Sequence, residues 1–268
     1  MTSTAPHAPE AELVLHKAAT SRVQDYLLGG KDNYAPDREL AHRMLEAMPQ
    51  AADAARASRR FLARAVRRLA GRGVRQYLDL GCGLPQQNNL HQMAARYIGD
   101  VRVVYVDDDP FVIAHARALL VDAGNVAALR ADIRDPAAVL ASPEVRRLID
   151  PAEPVAFVFA SVLHHLPDAA ALVAGLAAGA VPGSAVVVSH ATADFAPAPI
   201  AEAARLHREA GAGPLIPRGA GEIMRLLGPF RPLPPGLVPL GGGRPAGQDP
   251  STASTSWEPV MYGAVGVR

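Results

Sequence analysis

Short apolar runs alternate with longer amphipathic segments along most of this chain. The apolar runs predict strands, and segments whose apolar positions recur every three to four residues predict helices. We expect strands near 75–80, 101–106, 126–130, 154–160, 184–190, 236–241 and 258–267. We expect helices near 37–48, 51–70, 86–97, 110–123, 135–149, 168–179, 198–210 and 219–228. This alternation predicts an α/β fold with a seven-stranded, mostly parallel sheet, an antiparallel last strand, and helices on both faces.

The same pattern divides the chain into three regions. Residues 1–16 are rich in alanine, proline and threonine and are expected to form a disordered tail. Residues 17–73 are predicted to form an N-terminal helical lid, and residues 74–268 the main domain. Within the lid, the helix near 51–70 has an apolar stripe opposite Arg59, Arg60, Arg64, Arg67 and Arg68. A solvated helix face explains this row better than an RNA-binding surface does.

Composition limits the partners and the setting. Hydrophobic residues make up 49% of the chain, and 27 basic against 26 acidic residues give a net charge of +1. Such a balance provides no general attraction to nucleic acid or to an anionic membrane. The single cysteine, Cys82, excludes an internal disulfide and offers no metal-site spacing, so no metal is expected. Because no signal peptide or membrane-spanning stretch is apparent, we expect a cytoplasmic protein.

The most informative segment is 77–110. An apolar run that carries Asp79 ends at Gly81-Cys82-Gly83, and a second apolar run ends at Asp107, roughly 25 residues later. This order of strand, glycine turn, helix, strand and acid is that of a Rossmann-like nucleotide site. Glycines let a ligand approach the backbone, and the acid accepts the ribose hydroxyls. The alternative is an ordinary strand-turn-helix in which the glycines serve only the turn.

Charge favours one class of nucleotide over another. A dinucleotide site needs a third glycine, but this chain has Gln86 there, and Asp79 would repel a pyrophosphate. S-adenosylmethionine has no phosphate and carries a cationic sulfonium and ammonium, which a carboxylate stabilises. The pattern therefore favours S-adenosylmethionine over NAD.

Two later strands end in polar residues that should lie at the same edge of the sheet. After the third strand, Asp132, next to Ile133, can accept a hydrogen bond from adenine, although capping a helix is equally consistent with its position. After the fourth strand come Ser161 and the pair His164 and His165. Either imidazole can orient a ligand or accept a proton, and the alternative is a packing or capping role. His190, after the fifth strand, competes for the same role.

The segment 21–37, SRVQDYLLGGKDNYAPD, is dense in polar groups and is called the signature segment below. We expect it to cover the cofactor, with contacts from Tyr26, Gly29, Lys31 and Asn33. The alternative is a helix-turn that docks the N-terminus onto the sheet.

Taken together, these motifs resemble those of class I, Rossmann-like S-adenosylmethionine-dependent methyltransferases. The resemblance rests on Asp79-x-Gly81-x-Gly83, Asp107, Asp132-Ile133 and His164-His165. The signature segment resembles that of an actinobacterial S-adenosyl methyltransferase family of unassigned substrate, and this likeness covers nearly the whole chain. Two departures are Gln92, where an acid is expected, and Asp108, where asparagine is common.

The resemblance implies methyl transfer to an oxygen, nitrogen or carbon of a small molecule. It implies that Asp79 faces the cofactor ammonium, that the backbone of 81–83 faces the methionyl end, and that Asp107 binds the ribose. Asp108 and the pair Asp132-Ile133 would hold the adenine. The sequence leaves the oligomeric state open.

Three other functional classes are alternatives to this one. A nucleic-acid amino-methyltransferase is disfavoured because residues 160–163 read ASVL where such enzymes have a turn with two prolines. The remaining alternatives are a non-catalytic S-adenosylmethionine-binding module and an NAD-dependent oxidoreductase.

Overall fold

The computed structural model of this protein describes residues 15–121, 124–241 and 258–268, and eight strands in these residues form one sheet. The sheet order is β3-β2-β1-β4-β5-β8-β6, and β7 also pairs with β8. The strands are β1 (Gln76–Leu80), β2 (Arg102–Asp107), β3 (Val126–Arg130), β4 (Val155–Ala160), β5 (Ala185–Ala191), β6 (Arg231–Pro232), β7 (Val238–Leu240) and β8 (Met261–Val267). Because β1 to β5 are parallel and β8 is antiparallel to β5, the predicted fold class is confirmed.

The sheet has eight strands instead of the expected seven because the chain pairs with β8 in two short pieces, β6 and β7. Pro232, Pro234 and Pro235 lack the backbone N–H that a longer ladder would need, so one continuous strand cannot form here. The predicted tail and the loop 241–256 lie largely outside the described residues, at 1–14 and 242–256.

Ten α-helices and one 3-10 helix surround the sheet in the described part of the chain. They are α1 (Thr20–Leu28), α2 (Ala35–Ala47), α3 (Ala51–Ala70), α4 (Leu90–Ala95), α5 (Pro110–Leu119), α6 (Pro136–Ala141), α7 (Pro143–Leu148), the 3-10 helix Leu163–His165, α8 (Ala169–Ala177), α9 (Pro197–Glu209) and α10 (Ala220–Leu226). In the described residues, no helix combines the length and the apolar character needed to cross a bilayer.

Two helices differ from the prediction for local reasons. The helix expected over 86–97 covers only α4, because Asn88 has a left-handed φ of 62° and the chain becomes helical only after it. Gln92 completes the cap of α4, since its Oε1 accepts from the backbone N–H of Asn89 at 2.8 Å. The helix expected over 135–149 is split because Ser142 caps α7 and Pro143 follows it without a backbone N–H.

Side chains of the parallel strands alternate between two buried faces. One face, with Tyr77 and Val158, packs against α1 to α5 and α9, and the other, with Leu78 and Phe159, packs against α6, α7, α8 and α10. Both faces are therefore covered, as a parallel sheet requires. Helix α3 lies directly on the sheet, against β4, β5 and β8, and its predicted apolar stripe is buried. The division of the chain at residue 74 stays a prediction.

Candidate functional site

A cavity of about 520 Å³ lies at the carboxyl ends of β1 to β4, where ligands bind in doubly wound sheets. We call it the main cavity. Eight of the residues expected to contact a cofactor line it: Gly81, Cys82, Gly83, Asp107, Asp108, Asp132, Ile133 and Ser161. They meet because parallel strands bring their carboxyl ends to one edge of the sheet.

The two glycines of the turn after β1 have different physical roles. Both have left-handed φ angles, 70° at Gly81 and 63° at Gly83. A Cβ at Gly81 would lie 2.4 Å from Cγ2 of Val162, whereas a Cβ at Gly83 would meet no protein atom within 4 Å. Gly81 thus allows close packing, and Gly83 leaves open space at the wall of the main cavity. Burial raises the pKa of the Cys82 thiol well above its ordinary value, so this thiol stays protonated.

Asp107 is a buried carboxylate with one backbone donor on each oxygen. The N–H of Gly83 donates to Oδ2 at 3.0 Å, and the N–H of Asp109 donates to Oδ1 at 3.1 Å. Burial raises the pKa of Asp107 to about 6, and these two donors oppose the rise. The side chain is therefore oriented by the glycine turn and by the start of α5, and its remaining lone pairs can accept from a ligand.

The acids at the far end of the main cavity are more exposed. Asp108 as a whole residue is exposed, but protein atoms around its carboxyl partly desolvate it, and this effect and then the nearby Asp132 raise its pKa. Asp132 forms an ion pair with Arg134, whose Nη2 lies 2.6 Å from Oδ2. The hydrogen bond from Arg134 lowers the pKa of Asp132, so this carboxylate stays ionised. Ile133, which is buried, supplies an apolar wall beside them.

Asp79 lies in a smaller cavity of about 50 Å³ that shares Cys82, Gly83 and Ser161 with the main cavity. Burial raises the pKa of Asp79 to about 7, and the charge of Arg59 opposes that rise. Arg59 lines the same small cavity. The prediction that Arg59 belongs to a solvated arginine row is wrong, because this half-buried side chain lines the small cavity and its Nη2 donates to the carbonyl of Asn88 at 2.8 Å.

The signature segment connects to the site at two points. The hydroxyl of Ser21 donates to Oδ2 of Asp109 at 3.1 Å, and Nε2 of Gln86 donates to Oδ1 of Asp25 at 3.0 Å. Ser21 and Gln24 line the main cavity, and Asp25 lines the smaller one. The segment therefore lies across the opening between the two loops that follow β1 and β2.

The four residues of this segment that were expected to touch the cofactor lie outside both cavities. The hydroxyl of Tyr26 is 2.6 Å from Nε2 of His42, and the amide of Asn33 donates to Oδ2 of Asp25 at 2.8 Å. Gly29 ends α1 with a φ of 86°, and Lys31 is exposed. The structure thus places Tyr26, Gly29 and Asn33 in contacts that hold the N-terminal helices together, and Lys31 at the surface.

The hydrogen bonds of the histidines assign different tautomers to them. Nδ1 of His190 donates to the carbonyl of Ala191 at 2.7 Å, and its Nε2 accepts from Arg218 at 2.9 Å, so both nitrogens are engaged. Nδ1 of His164 accepts from the N–H of Ala191 at 3.2 Å, which leaves Nε2 as a donor. Nδ1 of His165 donates to the carbonyl of Pro214 at 2.7 Å, which leaves Nε2 with a free lone pair.

These tautomers separate the three imidazoles by what they can do. His190 is fully buried and held by neighbours on both sides, so it is a structural residue. His165 lines the main cavity, whereas His164 does not. Burial, followed by the charge of His207, lowers the pKa of His165 to about 4. His165 is therefore a neutral hydrogen-bond acceptor at the wall of the main cavity.

Arg218 positions the histidine loop and was not singled out from the sequence. Its guanidinium donates to the carbonyls of Leu163, Leu166 and Pro167 at 2.7 to 3.0 Å, in addition to His190. Three carbonyls and one imidazole of the 163–190 region thus share one cation. A single arginine in a Pro-rich stretch gives no periodic signal, so only the folded chain reveals this role.

Ser161 has a backbone conformation that is rare outside glycine. Its φ is 62°, and its N–H donates to the hydroxyl oxygen of Ser189 at 2.9 Å. Its own hydroxyl lies 3.0 Å from that of Ser58 on α3. Strained residues of this kind concentrate at ligand sites. Ser161 lines the main cavity, the small cavity of Asp79 and a third cavity, which is also lined by Met44 and Met261.

The site as a whole fits an adenosyl cofactor with an amino-acid tail. Gly83 leaves its wall open, and Asp107 keeps lone pairs that can accept from ligand hydroxyls. Among the described residues that line the cavity, Arg134 is the one arginine or lysine, which is little support for a pyrophosphate. Asp79 and Arg59 line one small cavity and interact electrostatically, and a carboxylate and a guanidinium there would complement the ammonium and the carboxylate of an amino-acid tail.

Comparison with known proteins agrees with this geometry. The model of the S-adenosyl methyltransferase family matches residues 6–268. A protein from Thermobifida fusca YX, provisionally assigned as a methyltransferase, is 37% identical over 96% of this chain and 97% of its own, with a TM-score of 0.87. A DUF574 family protein from Streptomyces avermitilis MA-4680 is 32% identical over 96% of this chain and 100% of its own, with a TM-score of 0.88.

No curated protein matches this sequence. The family match spans nearly the whole chain, and the two structural relatives match it over almost their full lengths. The chain therefore belongs to the S-adenosyl methyltransferase family and is a class I methyltransferase whose cofactor is S-adenosylmethionine.

Proposed function

We propose that this enzyme methylates a small molecule whose acceptor atom meets the cofactor between Ser161 and His165. The observation that carries this proposal is the third cavity, of about 80 Å³, which opens from the main cavity. We call it the side cavity. The two cavities share Thr20, Gln24, Ser161 and His165. A side cavity of this volume suits a small acceptor better than a duplex or a protein surface.

The residues of the main cavity divide the cofactor between them. Asp79 and Arg59 would hold the ammonium and the carboxylate of the methionyl end, and the backbone at Gly83 would lie against it. Asp107 would accept from the ribose hydroxyls. Asp108, Asp132 and Ile133 would hold the adenine.

S-adenosylmethionine supplies an already activated methyl group, so this chain has little bond polarisation to perform. Its main task is to hold the acceptor atom in line, which contributes most of the rate in such transfers. The free lone pair on Nε2 of His165 can accept the acceptor's proton as the new bond forms. His164, whose Nδ1 is engaged by Ala191, would act as a hydrogen-bond donor beside it.

Calorimetry with S-adenosylhomocysteine and NAD tests the cofactor site. We expect binding of S-adenosylhomocysteine alone, and Asp107→Ala should weaken it by about 10- to 100-fold because ribose hydroxyls lose their acceptor. Binding of NAD in its place would contradict the proposal. A chain that binds the cofactor but yields no methylated product from a metabolite extract would be the non-catalytic binding module.

Once an acceptor is found, His165→Ala tests the proton acceptor. Turnover should fall by about 100-fold or more, while the affinity for S-adenosylhomocysteine changes little. His190→Ala is not a matched control because it removes a buried packing group. The same replacement at His91, which lies outside the cavities and bonds to Tyr105, is the better comparison and should leave turnover nearly unchanged.

A further inference from the structure

The side cavity has a chemical character that specifies more than a small acceptor. None of the described residues that line it is an Asp, Glu, Lys or Arg. Most of the lining is aliphatic, with Met44, Met48 and Met261 among the larger side chains. Its polar groups are hydroxyl, amide and imidazole groups, so the cavity offers no countercharge to an ion.

The imidazoles of the side cavity are kept neutral by their surroundings. His164, His165 and His207 all line it. Burial lowers the pKa of each, and the rings of His165 and His207 are stacked with centroids 5.2 Å apart. Two adjacent imidazolium ions would repel each other, so the cluster stays neutral and supplies neither a cation for an anionic occupant nor a carboxylate for a cationic one.

The two histidines after β4 together complement a hydroxyl group. His165 offers a lone pair at Nε2, and His164 offers a donor at Nε2, with ring centroids 4.4 Å apart. A hydroxyl can donate to one and accept from the other. An aliphatic amine is protonated near neutral pH, so it would be both charged here and unable to attack a methyl group.

We propose that the side cavity binds a small uncharged alcohol or phenol with a compact apolar body, and that the enzyme is an O-methyltransferase. This rests on the proposed function. In the reaction an O–CH₃ bond forms, the S–CH₃ bond breaks and S-adenosylhomocysteine leaves. The hydroxyl proton passes by way of Nε2 of His165 to solvent, because this ring is neutral at rest. The site needs no other reactant.

The size of the side cavity limits the apolar body. Its volume of about 80 Å³ is smaller than the about 150 Å³ of an apolar cavity that holds benzene. A short branched alkyl group fits directly, and a single ring fits when the methionine side chains shift, which their three rotatable bonds allow. Phenol is therefore the largest probe that the site should take without wider rearrangement.

The test uses the full chain saturated with S-adenosylhomocysteine and measures probe binding by ligand-detected NMR. Phenol and 2-methylpropan-1-ol should bind, and benzoate and benzylammonium should bind at least about tenfold more weakly. With S-adenosylmethionine, phenol should yield anisole by mass spectrometry, while aniline should not be methylated. Equal binding of either ion, methylation of aniline alone, or no binding of the neutral probes at millimolar concentration would overturn the proposal.

A variant pair locates the probe. Ala55 lines the side cavity but neither of the other two, so Ala55→Leu should abolish phenol binding and change the affinity for S-adenosylhomocysteine less than twofold. Ala63→Leu, at a half-buried position of the same helix, is the control and should bind both. If Ala55→Leu does not fold, Ala54→Val makes the same test with a smaller side chain. If Ala55→Leu still binds phenol, phenol does not bind in the side cavity and the proposal is overturned.

If the unmodified chain does not bind S-adenosylhomocysteine, the proposed function itself is contradicted.

Discussion

Two glycine-bearing motifs approach the main cavity, and they use the absence of a side chain in opposite ways. At Gly83, in the turn after β1, the space where a Cβ would lie is open. At Gly30, in the signature segment, that space is filled by the carboxylate of Asp25, with Oδ1 only 1.9 Å from the Cβ position. The first glycine makes room for a ligand, and the second makes room for the protein itself.

The polar groups of the two motifs differ in the same way. Each carboxylate oxygen of Asp107 accepts one backbone hydrogen bond, and the remaining lone pairs can accept from a ligand. In the signature segment, Asp37 is completely buried and accepts from Ala19, Arg22 and Tyr34. A dense set of special residues therefore does not by itself indicate ligand contact. The two motifs differ in whether their carboxylates keep lone pairs that face the main cavity.

The largest expected effect tests the framework role of the signature segment. Asp37→Ala should lower the free energy of unfolding by about 3–5 kcal/mol, because it leaves the buried cation of Arg22 without its carboxylate. Urea denaturation measures the loss. Asp53→Ala removes an acid from the exposed ion pair with Arg56 and should change stability by less than about 0.5 kcal/mol. Equal losses in both variants would refute the distinction between framework and surface.

The glycines themselves give the next largest effects. Gly30→Ala should displace Asp25 from its donors and lower the free energy of unfolding by about 1–3 kcal/mol. Gly83→Ala should cost about 1–2 kcal/mol for its left-handed conformation and also weaken S-adenosylhomocysteine binding, because the methyl group enters the cavity. Gly73→Ala, with a φ of 85° and open space around it, measures the conformational cost alone. If Gly83→Ala binds the cofactor as well as Gly73→Ala does, its open space does not face the ligand.

Much of this architecture follows from pattern. Apolar runs located β1 to β5 to within one residue, while β8 begins three residues later than expected and prolines limit the pairing before it to β6 and β7. Eight residues that line the main cavity were singled out from the sequence, because each follows a strand and parallel strands end at one edge. The lining contributed by residues 18–21 and 211–213 was not, because these residues follow no strand of the sheet. Arg59 and Arg218 were missed because their partners lie far along the chain, at Asp79 and at the histidine loop. Local pattern cannot show such partners, nor can it show that Asn33 faces Asp25.

The two buried acids of the site, Asp79 and Asp107, should make stability depend on pH. The pKa of Asp79 is about 7 in the folded chain and 3.8 ordinarily, so between about pH 4 and 7 the folded chain holds a proton that the unfolded chain has lost. The contribution of Asp79 to the free energy of unfolding should therefore fall as pH rises through this window and level off above it, and the difference between this chain and Asp79→Asn in urea denaturation at pH 5 and 8 measures it. Asp107, with a pKa of about 6, acts in the same direction below pH 6, while the raised pKa values of Cys82 and Tyr105 keep both protonated.

Cofactor binding should show the opposite slope. An ammonium beside Asp79 favours the carboxylate, so the affinity for S-adenosylhomocysteine should rise from pH 6 to 8, by at most about tenfold per unit. Asp79→Asn should bind more weakly and flatten the profile, and Asp108→Asn, at an exposed position, should keep it. Calorimetry across this pH range makes the measurement. An unchanged slope in Asp79→Asn would assign the titration to another group, with Asp107 the next candidate.

The smallest expected effect tests the contact between the two motifs. Ser21 donates to Asp109, which in turn caps α5 at the end of the β2 loop. Ser21→Ala removes one hydrogen bond, worth about 0.5–1.5 kcal/mol, and leaves the framework around Asp37 intact. If the signature segment closes over the cofactor, amide exchange in residues 21–37 should slow when S-adenosylhomocysteine binds, and this slowing should be smaller in Ser21→Ala. Thr20→Val, which removes a hydroxyl bonded to Ala212, changes a neighbouring contact that does not reach Asp109 and serves as the control. If the amide exchange of residues 21–37 is the same with and without S-adenosylhomocysteine, the signature segment does not close over the cofactor and is a fixed wall of the site.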